Sequence, residues 1–138
     1  MKKLSVGAAI AAAAALMALG SAPAHAEPVP VDPGIGNGGT GLVFLSVDRE
    51  SGVSDARMLA CPEGQGHAQG FEACTQLTAV NGDFTALFPV DGVCTKEYAP
   101  VTFRAFGFWE GEVVFYEREF ANYCTGLHAT GGAVFDLA

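Results

Sequence analysis

The sequence is short of positive charge. Seven lysines and arginines stand against fifteen aspartates and glutamates, a net charge of −8. A chain this acidic repels phosphate backbones, so nucleic acid is not an expected partner. Lysine is the scarcer base: Lys2 and Lys3 open the chain, and Lys96 is the only other one. Catalytic residue types are also thin. Beyond residue 26 the serines are Ser46, Ser51 and Ser54 and the histidines are His67 and His128, none inside a nucleophile motif. Glu110, Glu112, Glu117 and Glu119 suit a solvated strand face better than a glycosidase pair. No CxxC or HxxxH pairing is present, which argues against zinc held by cysteines with His67 or His128. The chain is therefore expected to be no enzyme and to hold neither metal nor cofactor.

What is present begins with an address. Lys2 and Lys3 precede an alanine-rich apolar stretch from Ser5 to Leu19, and Ala24-His25-Ala26 sets small residues where a signal peptidase reads. Residues 1–26 are thus expected to be a signal peptide, and the mature protein to be secreted, with no membrane attachment. Alanine is too weakly apolar for a good anchor, and no stop-transfer charges follow. Loss of Lys2 and Lys3 takes the net charge from −8 to −10 and leaves Arg49, Arg57, Lys96, Arg104 and Arg118 unclustered. All four cysteines, Cys61, Cys74, Cys94 and Cys124, follow the cleavage site, as an oxidising destination requires. Four cysteines allow three pairings. The favoured one joins Cys61 to Cys74 across a glycine-rich loop and Cys94 to Cys124, each bridge stabilising by roughly 3 kcal/mol.

Residues 27–40 carry three prolines and a run of glycines, which reads as a flexible arm ahead of a single domain at 41–138. Leu42 to Val47 and Arg57 to Ala60 read as short strands around a polar turn. Phe71, Cys74, Leu77 and Val80 lie along one side of a helix that Asn81-Gly82 stops, and Asp83 can cap a further short turn. Val101 to Trp109 and Glu112 to Phe120 form a hairpin about Glu110-Gly111. Asn122 to His128 suits a short helix, and Gly132 to Phe135 reads as a last strand. The sum is α+β, an antiparallel sheet of about five strands with two short helices. Phe103, Phe106, Phe108 and Trp109 cannot share one face, nor can Val113 and Val114. A helix covers one side of such a sheet, and the second side is expected to pack sheet to sheet in a homodimer.

The loop Val93-Cys94-Thr95-Lys96-Glu97-Tyr98-Ala99-Pro100 stands apart. A cysteine anchors one end, a proline closes the other, and Thr95 and Tyr98 suit an extended backbone. Protease clefts bind their substrates as strands, so an exposed loop held extended is what they recognise. Tethering it through Cys94 lowers the ordering cost of binding. Lys96 then fits a pocket floored by a carboxylate, as trypsin-like enzymes have.

Leu77-Thr78-Ala79-Val80-Asn81-Gly82-Asp83, Cys94 through Val101, Trp109-Glu110-Gly111, Tyr116 through Phe120, Asn122-Tyr123-Cys124 and His128-Ala129 follow one another in a specific order and spacing. By these residues the sequence, from about Cys61 to Phe135, resembles the Streptomyces-type subtilisin inhibitors. The resemblance implies a secreted, dimeric inhibitor of serine proteases with a five-stranded, subtilisin-inhibitor-like fold. It implies a reactive bond between Lys96 and Glu97, disulfides Cys61–Cys74 and Cys94–Cys124, and an Asn122 that hydrogen-bonds behind the loop. Trypsin-like enzymes are the targets the lysine suggests, with subtilisin-like enzymes beside them.

Overall fold

The hairpin that dominates the sequence pattern organises the domain. In the computed structural model, which describes residues 38–52 and 54–138, β3 (Val101–Trp109) turns back into β4 (Glu112–Phe120). Glu110 and Gly111 make the turn at φ 49° and 82°, both positive as a two-residue hairpin matching the strand twist requires. β1 (Gly41–Arg49) and β2 (Ser54–Cys61) complete an antiparallel sheet in the order β2-β1-β3-β4. The expected signal peptide and the arm up to residue 37 lie outside the described residues. Gly39 and Thr40, at the arm's end, are tied down: the Gly39 amide donates to the Thr78 hydroxyl, 3.0 Å, and the Glu110 amide to the Thr40 carbonyl, 2.8 Å.

Alternation along each strand separates two faces. Val43, Leu45, Val47, Leu59, Phe103, Ala105 and Tyr116 point into the core. α1 (Gly70–Ala79) packs over β2, and α2 (Tyr123–Ala129) over β3 and β4. α1 buries Gly70, Ala73, Cys74 and Leu77, whereas Phe71, expected on the buried side, is exposed. The helix ends with Asn81 and Gly82 at φ 51° and 75°, and the Gly82 amide reaches back to the Leu77 carbonyl, 2.9 Å. Asp83 then caps a single 3-10 turn by accepting from the Thr85 amide. Trp109 is buried where three glycines converge: a Cβ at Gly39, Gly41 or Gly82 would fall within 2.5 Å of the indole.

Among the described residues the sheet has four strands, not five. Gly132 to Phe135 forms turns instead of a strand, because Gly131 and Gly132 stand at φ 88° and 85°. Ala133, Val134 and Phe135 are then buried consecutively, where a strand on one side of a core would alternate. Their carbonyls serve other partners: His67 donates to that of Val134 and the Tyr123 hydroxyl to that of Phe135. The segment is a plug whose Phe135 stacks on Phe103, centroids 4.7 Å apart, and meets Tyr116 and Phe84.

His67 clasps this plug to α1. Its Nδ1 accepts from the Gln69 amide, so Nε2 carries the hydrogen given to Val134. Burial lowers the imidazole pKa below 6.5, against the weaker opposing effect of the Val134 bond. A depressed folded pKa means the unfolded chain takes up a proton first as pH falls, so stability declines below about pH 6.5. Asp48 and Asp83, held low mainly by hydrogen bonds from Ser54 and Thr85, titrate well below that window. The denaturation midpoint of the natural chain is therefore expected to fall between pH 7 and pH 5. His67→Gln should flatten that dependence, and an equal slope in both would count against this origin.

On its other face the sheet carries two halves. Met58, Phe44, Phe106 and Phe115 form one row across all four strands, and Leu42, Phe108 and Val113 lie in the next. All seven are exposed. Toward the opposite end, Arg104 pairs with Asp48 and with Glu117 in the same surface.

Candidate functional site

Between the 3-10 turn and β3 the chain has no regular structure, and residues 88–99 are exposed apart from a half-buried Cys94. Val93 is 99 % exposed and Tyr98 76 %, while Pro100 is buried and feeds Val101 into the core. Apolar side chains held out in water at such values are not supporting the fold. Lys96 and Glu97 stand exposed between them.

α2 holds this loop from behind. Cys94 is bonded to Cys124 in its first turn, Cα atoms 5.7 Å apart, and Cys61 is bonded to Cys74 at 5.5 Å. Asn122 caps the helix: its side-chain oxygen accepts from the amide and hydroxyl of Thr125, both at 2.9 Å. Those donors fix which end of the amide is nitrogen, and that nitrogen donates to the carbonyls of Thr95, 3.1 Å, and Glu97, 2.9 Å. One buried side chain therefore starts a helix and grips the loop on both sides of the 96–97 peptide bond. In an extended chain the carbonyls of i and i+2 point the same way and that of i+1 points opposite. The Lys96 carbonyl is thus turned away from Asn122. The Ala99 amide donates to the Ala121 carbonyl, 2.9 Å, which closes the downstream end.

The helix is itself anchored. Tyr123 lies half-buried under the Arg49 guanidinium, 5.3 Å from its ring centroid, and its hydroxyl donates to the Phe135 carbonyl. Burial, with the nearby Asp136 carboxylate, holds the phenol pKa above its usual value. Tyr123 stays a neutral donor at physiological pH, and the loop's backing is fixed to the plug.

Of the other sequence candidates, Ser51 lines the hollow beside Thr95, Glu97 and Tyr98 with no histidine among its lining residues, and the rest are apart from this site or chemically occupied. Ser46 and Ser54 donate to the Asp48 carboxylate on the open sheet face. Glu117 pairs with Arg104, Glu110 accepts from Thr40, and Glu112 and Glu119 are exposed strand residues. Cys94, Cys124 and His128 offer ligand atoms within 4.8 Å of one another. Both sulfurs belong to a disulfide, and the imidazole lies against one of them, 3.4 Å from Nδ1, so the three do not make a ligand set for a metal.

The sequence profile described as subtilisin inhibitor-like matches residues 42–122. The chain belongs to the subtilisin inhibitor-like family. Among its relatives, a Streptomyces avermitilis protein is 39 % identical over 91 % of this chain and 82 % of its own length. Protease inhibitor SIL-V1/SIL-V4 of Streptomyces netropsis is 46 % identical over 64 % of this chain and 83 % of its own. The fold is that of sermetstatin from Streptomyces caespitosus, whose crystal structure was solved in complex with Bacillus licheniformis subtilisin. That likeness has a TM-score of 0.53 at 24 % identity and covers 71 % of this chain and 99 % of the other. Membership places the subtilisin inhibitor-like chain among protease inhibitors and not among enzymes.

The sequence had singled out the loop and Asn122. It gave no sign of the Ala99–Ala121 rung, of Arg49 over Tyr123, or of Gly92 and His128 beside Cys94. Each joins residues more than twenty positions apart without a motif between them, and only the folded chain brings them together.

Proposed function

We propose that this chain is a secreted inhibitor that offers Lys96 as bait to serine proteases, with Lys96–Glu97 as the bond attacked. The observation that carries this reading is the grip of Asn122 on Thr95 and Glu97, one on each side of that bond. The protease serine adds to the Lys96 carbonyl, the peptide bond breaks, and an ester to the enzyme forms as the Glu97 amine is released. That amine stays held by Asn122 and by the Ala99 rung, so its attack on the ester, which restores the peptide, competes with water. Val93, Cys94, Thr95, Tyr98, Ala99 and Pro100 are the flanking residues that fill the rest of the cleft. The loop enters already ordered, which lowers what binding must overcome.

Lysine at the bait position favours trypsin-like targets. Subtilisin-like enzymes are a second class, supported by family membership and by the complex that sermetstatin forms with subtilisin. Export as a mature chain without residues 1–26 is supported by the leader-like start and two disulfides. Titration of trypsin and subtilisin with the chain from residue 27 tests the function. Activity should fall linearly to near zero at about one inhibitor per active site for at least one of them. Full activity of both at micromolar chain would overturn the reading.

The open sheet face supports a homodimer. Its apolar half is the largest exposed run of aromatic and aliphatic side chains among the described residues, and a second copy laid across it buries both faces at once. Phe106 stands between Phe44 and Phe115 in the apolar row, so a charge there is set between two aromatic neighbours that a second copy would cover. Sedimentation is expected to give about twice the protomer mass for the natural mature chain and the protomer mass for Phe106→Glu. A natural chain that sediments as a protomer at micromolar concentration would rule the dimer out.

A further inference from the structure

Asn122 reaches only the centre of the loop. Upstream of it, three alternate residues converge on another side of α2. The Val90 amide donates to the His128 carbonyl, 2.9 Å. Gly92 lies against the His128 ring so closely that a Cβ would fall 1.9 Å from Cε1. The Cys94 sulfur is 3.4 Å from Nδ1 of the same ring. Residues 90, 92 and 94 share one side of an extended segment, and a single residue in the last turn of α2 lines that side. Because Cys94 is in a disulfide, its sulfur has no hydrogen to give and can only accept. Nδ1 is therefore the donor. Gly92 is not in the left-handed region of backbone space, so glycine there answers to room and not to angle.

We propose that His128 is a positioning residue for the bait loop, holding residues 90–94 in register upstream as Asn122 holds 95–97 around the bond. The proposal rests on the reading of Lys96–Glu97 as the attacked bond. On that reading the upstream half is the part that stays esterified to the protease after cleavage. An upstream half that drifts takes the ester away from the waiting Glu97 amine, and hydrolysis gains on religation. α2 then acts as a single short spine. Its cap holds one part of the loop, its first turn holds the disulfide, and its last turn holds the third.

The test separates this role from a general loss of stability. Val90 and Ala99 carry the loop's two backbone-bonded amides, one on each side of the bond. In His128→Ala, amide exchange at Val90 is expected to accelerate about tenfold while Ala99 stays within twofold of the natural chain; equal acceleration at both would mean a merely structural role and would overturn the proposal. The Gly92 pairing supplies a second readout. Gly92→Ala alone drives a methyl into the ring and should speed cleavage of Lys96–Glu97 by stoichiometric trypsin on the order of tenfold, whereas in the His128→Ala background it should add little, as neighbours sharing one space are non-additive. Additive effects would overturn it. Should His128→Ala fail to fold, His128→Phe keeps the ring plane, and in it Gly92→Ala should remain as damaging as in the natural chain. If the natural chain inhibits neither trypsin nor subtilisin, the reading of Lys96 fails. The exchange pattern at Val90 and Ala99 still decides whether His128 holds the loop.

Discussion

Lys96→Gly is expected to weaken trypsin inhibition by roughly a thousandfold, the effect of deleting a central anchor worth about 4 kcal/mol. The side chain is exposed and belongs to no ion pair among the described residues, so nothing in the fold depends on it. The melting temperature should therefore stay where it is, since exposed substitutions of this kind change stability by about 0.5 kcal/mol or less. Inhibition constants for trypsin and subtilisin, measured beside a thermal melt, check both halves. Subtilisin should lose less than trypsin, because a pocket without a carboxylate floor gains less from the ammonium. Undiminished trypsin inhibition would remove Lys96 from the bait position and leave the enzyme's primary pocket without an assigned occupant.

Asn122→Ala is expected to change the outcome of the encounter with the protease. It removes two hydrogen bonds to loop carbonyls, each contributing about 1 kcal/mol net, so the ordered loop becomes roughly thirtyfold less favoured. It also removes the cap of α2, a further loss of about 1 kcal/mol in stability. Thr95 and Glu97 are exposed residues whose released carbonyls can turn to water, so the domain should still fold. Inhibition should then decay with time as the 96–97 bond is hydrolysed, instead of persisting. Mass spectrometry of a stoichiometric mixture with trypsin should show two new chain ends, still joined through Cys94–Cys124. A complex that persists as long as that of the natural chain, with the loop intact, would mean Asn122 serves the helix alone.

The parts of the fold legible in the sequence were those that announce themselves locally. The hairpin spans Val101–Trp109 and Glu112–Phe120, as its β-branched and aromatic runs around Glu110-Gly111 indicate. Asn81-Gly82 ends α1 because a left-handed backbone there is open to those residue types. The expected fifth strand fails for a reason periodicity cannot express. Ala133, Val134 and Phe135 are buried on consecutive positions, and a plug filling a core from its edge shows the same unbroken apolar run as a buried strand. Phe71 fails differently: its spacing fits the buried side of α1, yet Gly70 and Ala73 take the inward positions. Gly39 falls in the stretch that reads as a flexible arm and is instead, with Gly41 and Gly82, a wall of the tightly filled pocket around Trp109. Within the candidate site, the exposed loop at 93–100 could be found from its cysteine, lysine and proline. Of what backs it, Asn122 came with the family resemblance, whereas the His128 ring beside Gly92 and Cys94, more than thirty positions away, gave no sign in the sequence.

Trp109 is the one tryptophan in the chain, and its place gives the molecule a built-in optical gauge. It closes β3 at the end away from Val101, which at 3.3 Å per residue sets it about 26 Å from where the exposed loop enters the sheet. It also points inward, away from the open sheet face. Its emission should lie to the blue and shift to the red only when the core opens to water. Cutting of the loop and separation of two copies should both pass unseen by it. Loss of inhibition with unchanged fluorescence is thus a signature of a spent loop, and loss of both is a signature of an unfolded domain.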